Sequence, residues 1–180
     1  LYSAANQYEL YSCKDDIFLL DTKTDEIGNI TEKINGKALY PSWSQDGKSL
    51  VYTSNHLGTN EVFLLDIESR ETRQLTDSKA NNERGELSPD GKFLLFSSDE
   101  FEKGNQEIVL KNLETGDLEN ISDSPGMELI ARFSANGKNI YYGSNKDGNW
   151  EIYSCNLETR VHTQLTVNNE FDGDPRILKR

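Results

Sequence analysis

Three stretches of this 180-residue chain repeat one another at offsets of 44 to 46 residues: PSWSQDGKSLVYTSN from Pro41, GELSPDGKFLLFSSD from Gly85 and ARFSANGKNIYYGSN from Ala131. Each runs on into a second shared phrase, NEVFLLDIESRETRQLT from Asn60, QEIVLKNLETGDLENIS from Gln106 and WEIYSCNLETRVHTQLT from Trp150. A repeat of this length is a supersecondary unit that buries its apolar faces only by stacking on copies of itself. The stacking requirement constrains the fold before any single residue is weighed.

Inside each copy the hydrophobic period is two. Leu50 and Tyr52, then Val62 and Leu64, alternate with partners on the opposite face, and 93–96 and 140–142 are short apolar runs. Asp46-Gly47, Asp90-Gly91 and Asn136-Gly137 are pairs that accept the positive φ of a tight hairpin. Ser44, Ser88 and Ser134 stand two residues ahead of each, placed to bond the turn backbone. A second loop carries Gly58, Gly104 and Gly148, followed within three residues by Glu61, Glu107 and Glu151. Polar turns from Asp66, Asn112 and Asn156 then lead to the closing Gln74-Leu-Thr, Asn120-Ile-Ser and Gln164-Leu-Thr. Each unit therefore reads as four antiparallel strands, A to D, in a meander, and four-stranded units of this length are the blades of a β-propeller.

The ends of the chain complement each other. Residues 8–31 supply strands B, C and D of a first blade, with Asp21 and Thr31 each 45 residues ahead of Asp66 and Thr76. Asp172-Gly-Asp-Pro175-Arg-Ile177 aligns with the start of a strand A. The expectation is a single all-β propeller domain over 1–180. Its blades are 8–31 plus a C-terminal strand at 172–178, then 39–76, 84–122 and 130–166. A composite blade of this kind closes the ring without open sheet edges, and a closed ring predicts a monomer. The alternative is an open half of a larger propeller, of about six to eight blades.

Composition narrows the function. Aromatic residues at 9% argue against disorder. A net charge of −12 with no basic run excludes nucleic-acid binding, and leaves a cation or a basic protein partner beside plain solubility. No apolar run approaches the roughly 18 residues of a membrane-spanning segment. The chain begins at Leu1 without a charged, apolar leader, and reads as a mature product or an excised piece. Cys13 and Cys155 are expected as buried free thiols, with a bridge tying the two ends as the alternative.

The phrases PSWSQDGKSLVYTSN and ELSPDGKFLLFSSD, followed by NEVFLLD and QLT, resemble the WD-like repeats of TolB-like β-propellers. The resemblance runs from about Tyr8 to Ile177. It departs at Ala135-Asn136 and Gln45, which keep the turn chemistry. It implies a periplasmic, cell-surface or secreted bacterial protein that acts as a non-catalytic scaffold for a protein partner of the cell envelope. Related propellers cap serine peptidases, and others are polysaccharide lyases, so activity has to be read from the site.

No GxSxG, GxGxxG or GxxxxGK[ST] pattern is present. His56 and His162 lack a second histidine at ligand spacing and are expected as surface imidazoles. The mouth of the central channel remains. Tyr40, Arg84, Ile130 and Asp174 fall at one repeat position at the start of the inner strands, with Asn82, Glu83, Glu128 and Asp172 just outside. These residues change between blades while their surroundings repeat, which is where a repeat protein can vary without breaking its core. Glu83, Glu128, Asp172 and Asp174 are the candidates for holding calcium, and otherwise form a solvated rim. Trp150 is expected to be exposed for a partner or a sugar ring. Glu61, Glu107 and Glu151 recur in every copy and are expected to serve the framework. Trp43, Leu87, Phe133 and Ile177 share a position that packs between blades. Two further functions stay open: a cation-dependent, lyase-like polysaccharide enzyme, and an accessory propeller of a larger multidomain protein.

Overall fold

The three Asx-Gly hairpins form around a shared hydroxyl. Ser44, Ser88 and Ser134 donate through Oγ to Asp46, Asp90 and Asn136 at 2.7, 2.6 and 2.8 Å. The same oxygens accept the backbone N–H of Ser49, Phe93 and Asn139. Gly47, Gly91 and Gly137 take φ of 69°, 72° and 70°, where a Cβ would be strained. These features come from a computed structural model that describes residues 8–177.

Four sheets follow one another along the chain. The first holds β1 (Tyr8–Cys13), β2 (Asp16–Asp21) and β3 (Ile27–Asn29). The second holds β4 (Ala38–Trp43), β5 (Ser49–Ser54), β6 (Glu61–Asp66) and β7 (Thr72–Gln74). The third is β8 (Asn82–Leu87), β9 (Phe93–Ser98), β10 (Glu107–Asn112) and β11 (Leu118–Asn120). The fourth is β12 (Glu128–Phe133), β13 (Asn139–Ser144), β14 (Glu151–Asn156) and β15 (His162–Gln164). Each sheet is an antiparallel meander with its strands in chain order, the blade of a propeller.

The two-residue period divides each blade between its neighbours. Leu50 and Tyr52 of β5 face the first blade, in a cluster with Leu10 and Ile17, while Val51 between them faces Leu94 and Phe96 of the third. Leu95 in turn meets Phe133, Ile140 and Tyr142 of the fourth. Fully burying such side chains contributes about 1.5–3 kcal/mol each, so the junctions hold the blades together. Trp43, Leu87 and Phe133 pack at these three junctions, as their shared position predicts, and Ile177 is half-buried.

The ends depart from expectation. The first sheet has three strands, and among the described residues 172–177 form no ladder with it; residue 178 lies outside them. The segment is tied to the fourth blade instead. Asp172 N–H donates to the Trp150 carbonyl at 2.9 Å, repeating the crossings of Asn82 to Asn60 at 2.9 Å and of Glu128 to Gln106 at 2.7 Å. It thus enters as a further strand A would. The outer face of the fourth blade is correspondingly open: Leu165 is 50% exposed, where its counterparts Leu75 and Ile121 are 4% exposed. Both cysteines are free, Cys155 buried as expected and Cys13 exposed. Among the described residues no helix is long and apolar enough to cross a membrane.

Candidate functional site: the channel mouth

The inner strand of each four-stranded blade slips register at one place, between Leu39 and Ser42, Glu83 and Glu86, and Leu129 and Arg132. Within each slip one residue is left-handed: Tyr40 at φ 53°, Arg84 at 61° and Ile130 at 57°. None is glycine, and for a β-branched residue such as Ile130 this region is a genuine outlier. Such strain costs on the order of 1–3 kcal/mol per residue and persists only where surrounding structure over-determines it. At Arg84 the anchor is visible, because its backbone N–H donates to Thr53 Oγ1 of the preceding blade at 3.0 Å. A bulge re-aims a side chain, and here it turns three onto one cavity of about 210 Å³. Leu10 and Ser12 of β1, Arg132, Asp174 and Arg176 complete much of the wall, so both ends of the described chain reach it.

Three guanidiniums meet in this cavity, although the chain carries a net charge of −12. Arg84 lies over the Tyr40 ring with its Cζ 3.9 Å from the centroid, and its Nε is 3.4 Å from Glu83. Arg132 stands 3.7 Å from Glu86 on the neighbouring blade and donates to the Ala131 carbonyl at 2.9 Å. Burial pulls the Arg132 guanidinium below its ordinary value, and the Glu86 carboxylate opposes that pull. Arg176 pairs with Asp174 at 2.9 Å.

Of the residues expected at the mouth, Tyr40, Arg84, Ile130 and Asp174 are brought together, with Glu83 beside Arg84. Asn82 and Glu128 are not at the surface: they are 2% and 0% exposed and bond into the blade junctions. Asp172 is half-buried and accepts from Asn168 at 2.7 Å. The four acidic candidates for calcium are therefore dispersed. Among the described residues no three His, Cys, Asp or Glu side chains gather at metal-binding distance. Trp150 is half-buried rather than exposed, tilted against Phe171 with centroids 5.9 Å apart.

Neither histidine is a free surface imidazole: His56 contacts Ser54 Oγ at 2.9 Å and His162 the Tyr142 hydroxyl at 2.8 Å. Glu61, Glu107 and Glu151 serve the framework as predicted, accepting the hydroxyls of Thr76, Ser122 and Thr166 and the N–H of Ser78, Ser124 and Asn168. Sequence reasoning missed Arg132, Arg176 and Glu86. Their signal was a second variable position, Ser42, Glu86, Arg132 and Arg176, two residues past the first.

A family model for the TolB β-propeller domain matches residues 7–100, just over half of the chain. The chain belongs to the TolB β-propeller family. The Tol-Pal system protein TolB of Francisella tularensis subsp. tularensis is 27% identical in an alignment of 179 residues that covers 94% of this chain and 41% of that protein. The crystal structure of TolB from Acinetobacter baumannii superposes with a TM-score of 0.77 at 26% identity, covering 93% of this chain and 42% of that one. A putative TolB from Agrobacterium tumefaciens shares the fold, with a TM-score of 0.72 at 20% identity over 83% of this chain and 55% of that one. The chain thus spans about two fifths of the curated relatives' length.

Proposed function

We propose that this TolB-family propeller is a non-catalytic protein-binding module of a Tol-Pal-type system in the bacterial periplasm, and that it docks its partner at the channel mouth. The observation that carries this reading is the bulge at Tyr40, Arg84 and Ile130. Strain repeated in three blades presents side chains that differ in every blade, which suits recognition of one asymmetric partner. Arg84 and Tyr40 have the amphipathic, partly desolvated character of binding hot spots. Near the junctions, Glu61, Glu107 and Glu151 accept hydroxyls and His162 bonds to Tyr142, all framework contacts.

The test is calorimetric titration of the full-length protein with the Pal protein of the same bacterium. Arg84→Ala is expected to weaken binding about tenfold or more, the scale of a hot spot, without a matching loss in thermal stability. Unchanged affinity in Arg84→Ala and Tyr40→Ala together would remove the channel mouth as the docking site.

A further inference from the structure

Each junction between four-stranded blades sets a buried carboxylate at the start of one strand C beside the first residue of the next strand A. Between the second and third blades, Glu61 accepts from Thr76 Oγ1 and from the Ser78 N–H. Asn82 completes this site by donating Nδ2 to Glu61 Oε2 at 3.0 Å, while its Oδ1 accepts the Ser98 hydroxyl at 2.6 Å. The next junction keeps the carboxylate and exchanges its partners: Ser124 Oγ donates to Glu128 Oε1, whereas its counterpart Ser78 Oγ accepts from Asn82 Nδ2. Glu107 accepts from Ser122 Oγ, from the Ser124 N–H and from Asn105 Nδ2. Ser144 Oγ donates to Glu128 Oε1 at 2.6 Å, as Ser98 does to Asn82. Where Asn82 sends an amide donor, however, Glu128 presents a second carboxylate oxygen. Glu128 Oε2 is buried without a hydrogen-bond partner among the described residues, and the carboxyl group faces Glu107. Glu128 is 0% exposed and Glu107 3%.

Two acceptors therefore meet where the frame needs a donor. Ionising both in an apolar junction is strongly unfavourable, and one proton turns either carboxylate into the missing donor. We propose that Glu107 and Glu128 hold a single proton between them, so that the junction between the third and fourth blades is a proton-binding latch that loosens when the proton leaves. Glu128 opens β12, two residues before Ile130 and four before Arg132, so the latch acts at the root of a channel-lining strand.

Burial, reinforced by the Glu128 carboxylate and opposed by the Ser122 hydroxyl, pushes Glu107 up to about 7. A raised carboxyl contributes stability that is complete below its unfolded value of 4.5 and is lost as pH climbs toward about 7. The other titratable groups around the pair do not imitate this. Tyr142 on β13 and Tyr153 on β14 are pushed up by burial, Tyr153 also by its bond to Asp147, and both stay neutral. His162 on β15 is lowered by burial and then by Lys146, so it weakens the fold as pH falls, the opposite sign. The β9 wall of the junction is apolar at Leu95.

Hydrogen–deuterium exchange on the full-length protein across about pH 5 to 8, corrected for intrinsic rates, tests this. In the wild type, protection of segments 105–110 and 122–133 is expected to fall roughly tenfold per pH unit between about pH 5 and 7. Segments 59–64 and 76–87, around Glu61 and Asn82, serve as the flat internal reference. Glu128→Gln restores the donor and is expected to abolish the slope and exceed wild-type protection at about pH 8. Glu107→Gln supplies the same donor from the other side and reads the same way if Glu128→Gln fails to fold. A wild-type slope in the variant that folds overturns the proposal. Calcium that restores wild-type protection at about pH 8, with no effect on Glu128→Gln, also overturns it, by assigning the pair to a cation.

Discussion

Arg84 and Tyr40 occupy the same position of neighbouring blades, and the guanidinium of one stacks 3.9 Å from the ring centroid of the other. Both are left-handed residues of a bulge, so the contact exists only because both inner strands are distorted alike. A double-mutant cycle on Tyr40→Ala and Arg84→Ala, read by urea unfolding, is expected to give a coupling of about 0.5–2 kcal/mol. Arg84→Lys keeps the charge but loses the flat stacking surface and should recover less than half of it. A cycle that closes near zero would show that the two side chains touch without stabilising each other.

Glu61 marks the opposite kind of residue, one set by the fold rather than by a partner. Its carboxylate receives donors from Thr76, Ser78 and Asn82. Glu61→Ala leaves these donors buried and unpaired, at about 1–3 kcal/mol for each that water cannot reach. A loss of at least about 3 kcal/mol in chemical unfolding is expected, against less than about 0.5 kcal/mol for Glu68→Ala at an exposed turn.

The blades were legible because their signals are local. Ser44, Asp46 and Gly47 sit within four residues and form one hairpin, and the same spacing recurs twice. Glu61, Glu107 and Glu151 were readable as framework because they recur in every copy. The bulge was not legible: left-handed backbone at Tyr40, Arg84 and Ile130 carries no glycine to announce it. An unmarked bulge shifts the inside–outside alternation by one, so Asn82 and Glu128, two residues before the left-handed position and expected at the mouth, lie buried in the blade junctions. Trp150 is covered by Phe171, a contact between separate segments that no local pattern encodes.

Acid should weaken the first two complete hairpins and spare the third. The Ser44 hydroxyl, followed by the Lys48 N–H, holds Asp46 below the ordinary carboxylate value of 3.8, and Ser88 with Lys92 does the same for Asp90. A lowered carboxyl contributes stability that is present above its unfolded value and disappears as pH falls below it. Asn136 fills the same role in the third hairpin without titrating. The melting temperature is therefore expected to drop between about pH 4 and 2, and the paired variant Asp46→Asn, Asp90→Asn should flatten that limb. An unchanged acid limb in the variant would place the loss elsewhere.

Gly143 sits where the second and third blades carry Thr53 and Ser97, and its bare backbone lets the C-terminal segment approach. A Cβ there would lie 2.4 Å from the Gly173 carbonyl oxygen and 2.8 Å from its Cα, both backbone atoms that cannot swing aside. Gly143→Ala must therefore move residues 172–177 away from β13, taking Asp174 and Arg176 off the cavity wall. The expected signature is a loss of about 1–3 kcal/mol together with faster tryptic cleavage after Arg176, while cleavage after Arg73 of β7 is unaffected. Gly28→Ala, whose Cβ meets nothing within 4 Å, is the matched control. If Gly143→Ala destabilises without exposing Arg176 to trypsin, the strain is absorbed by the fourth blade, and the segment's position does not depend on that glycine.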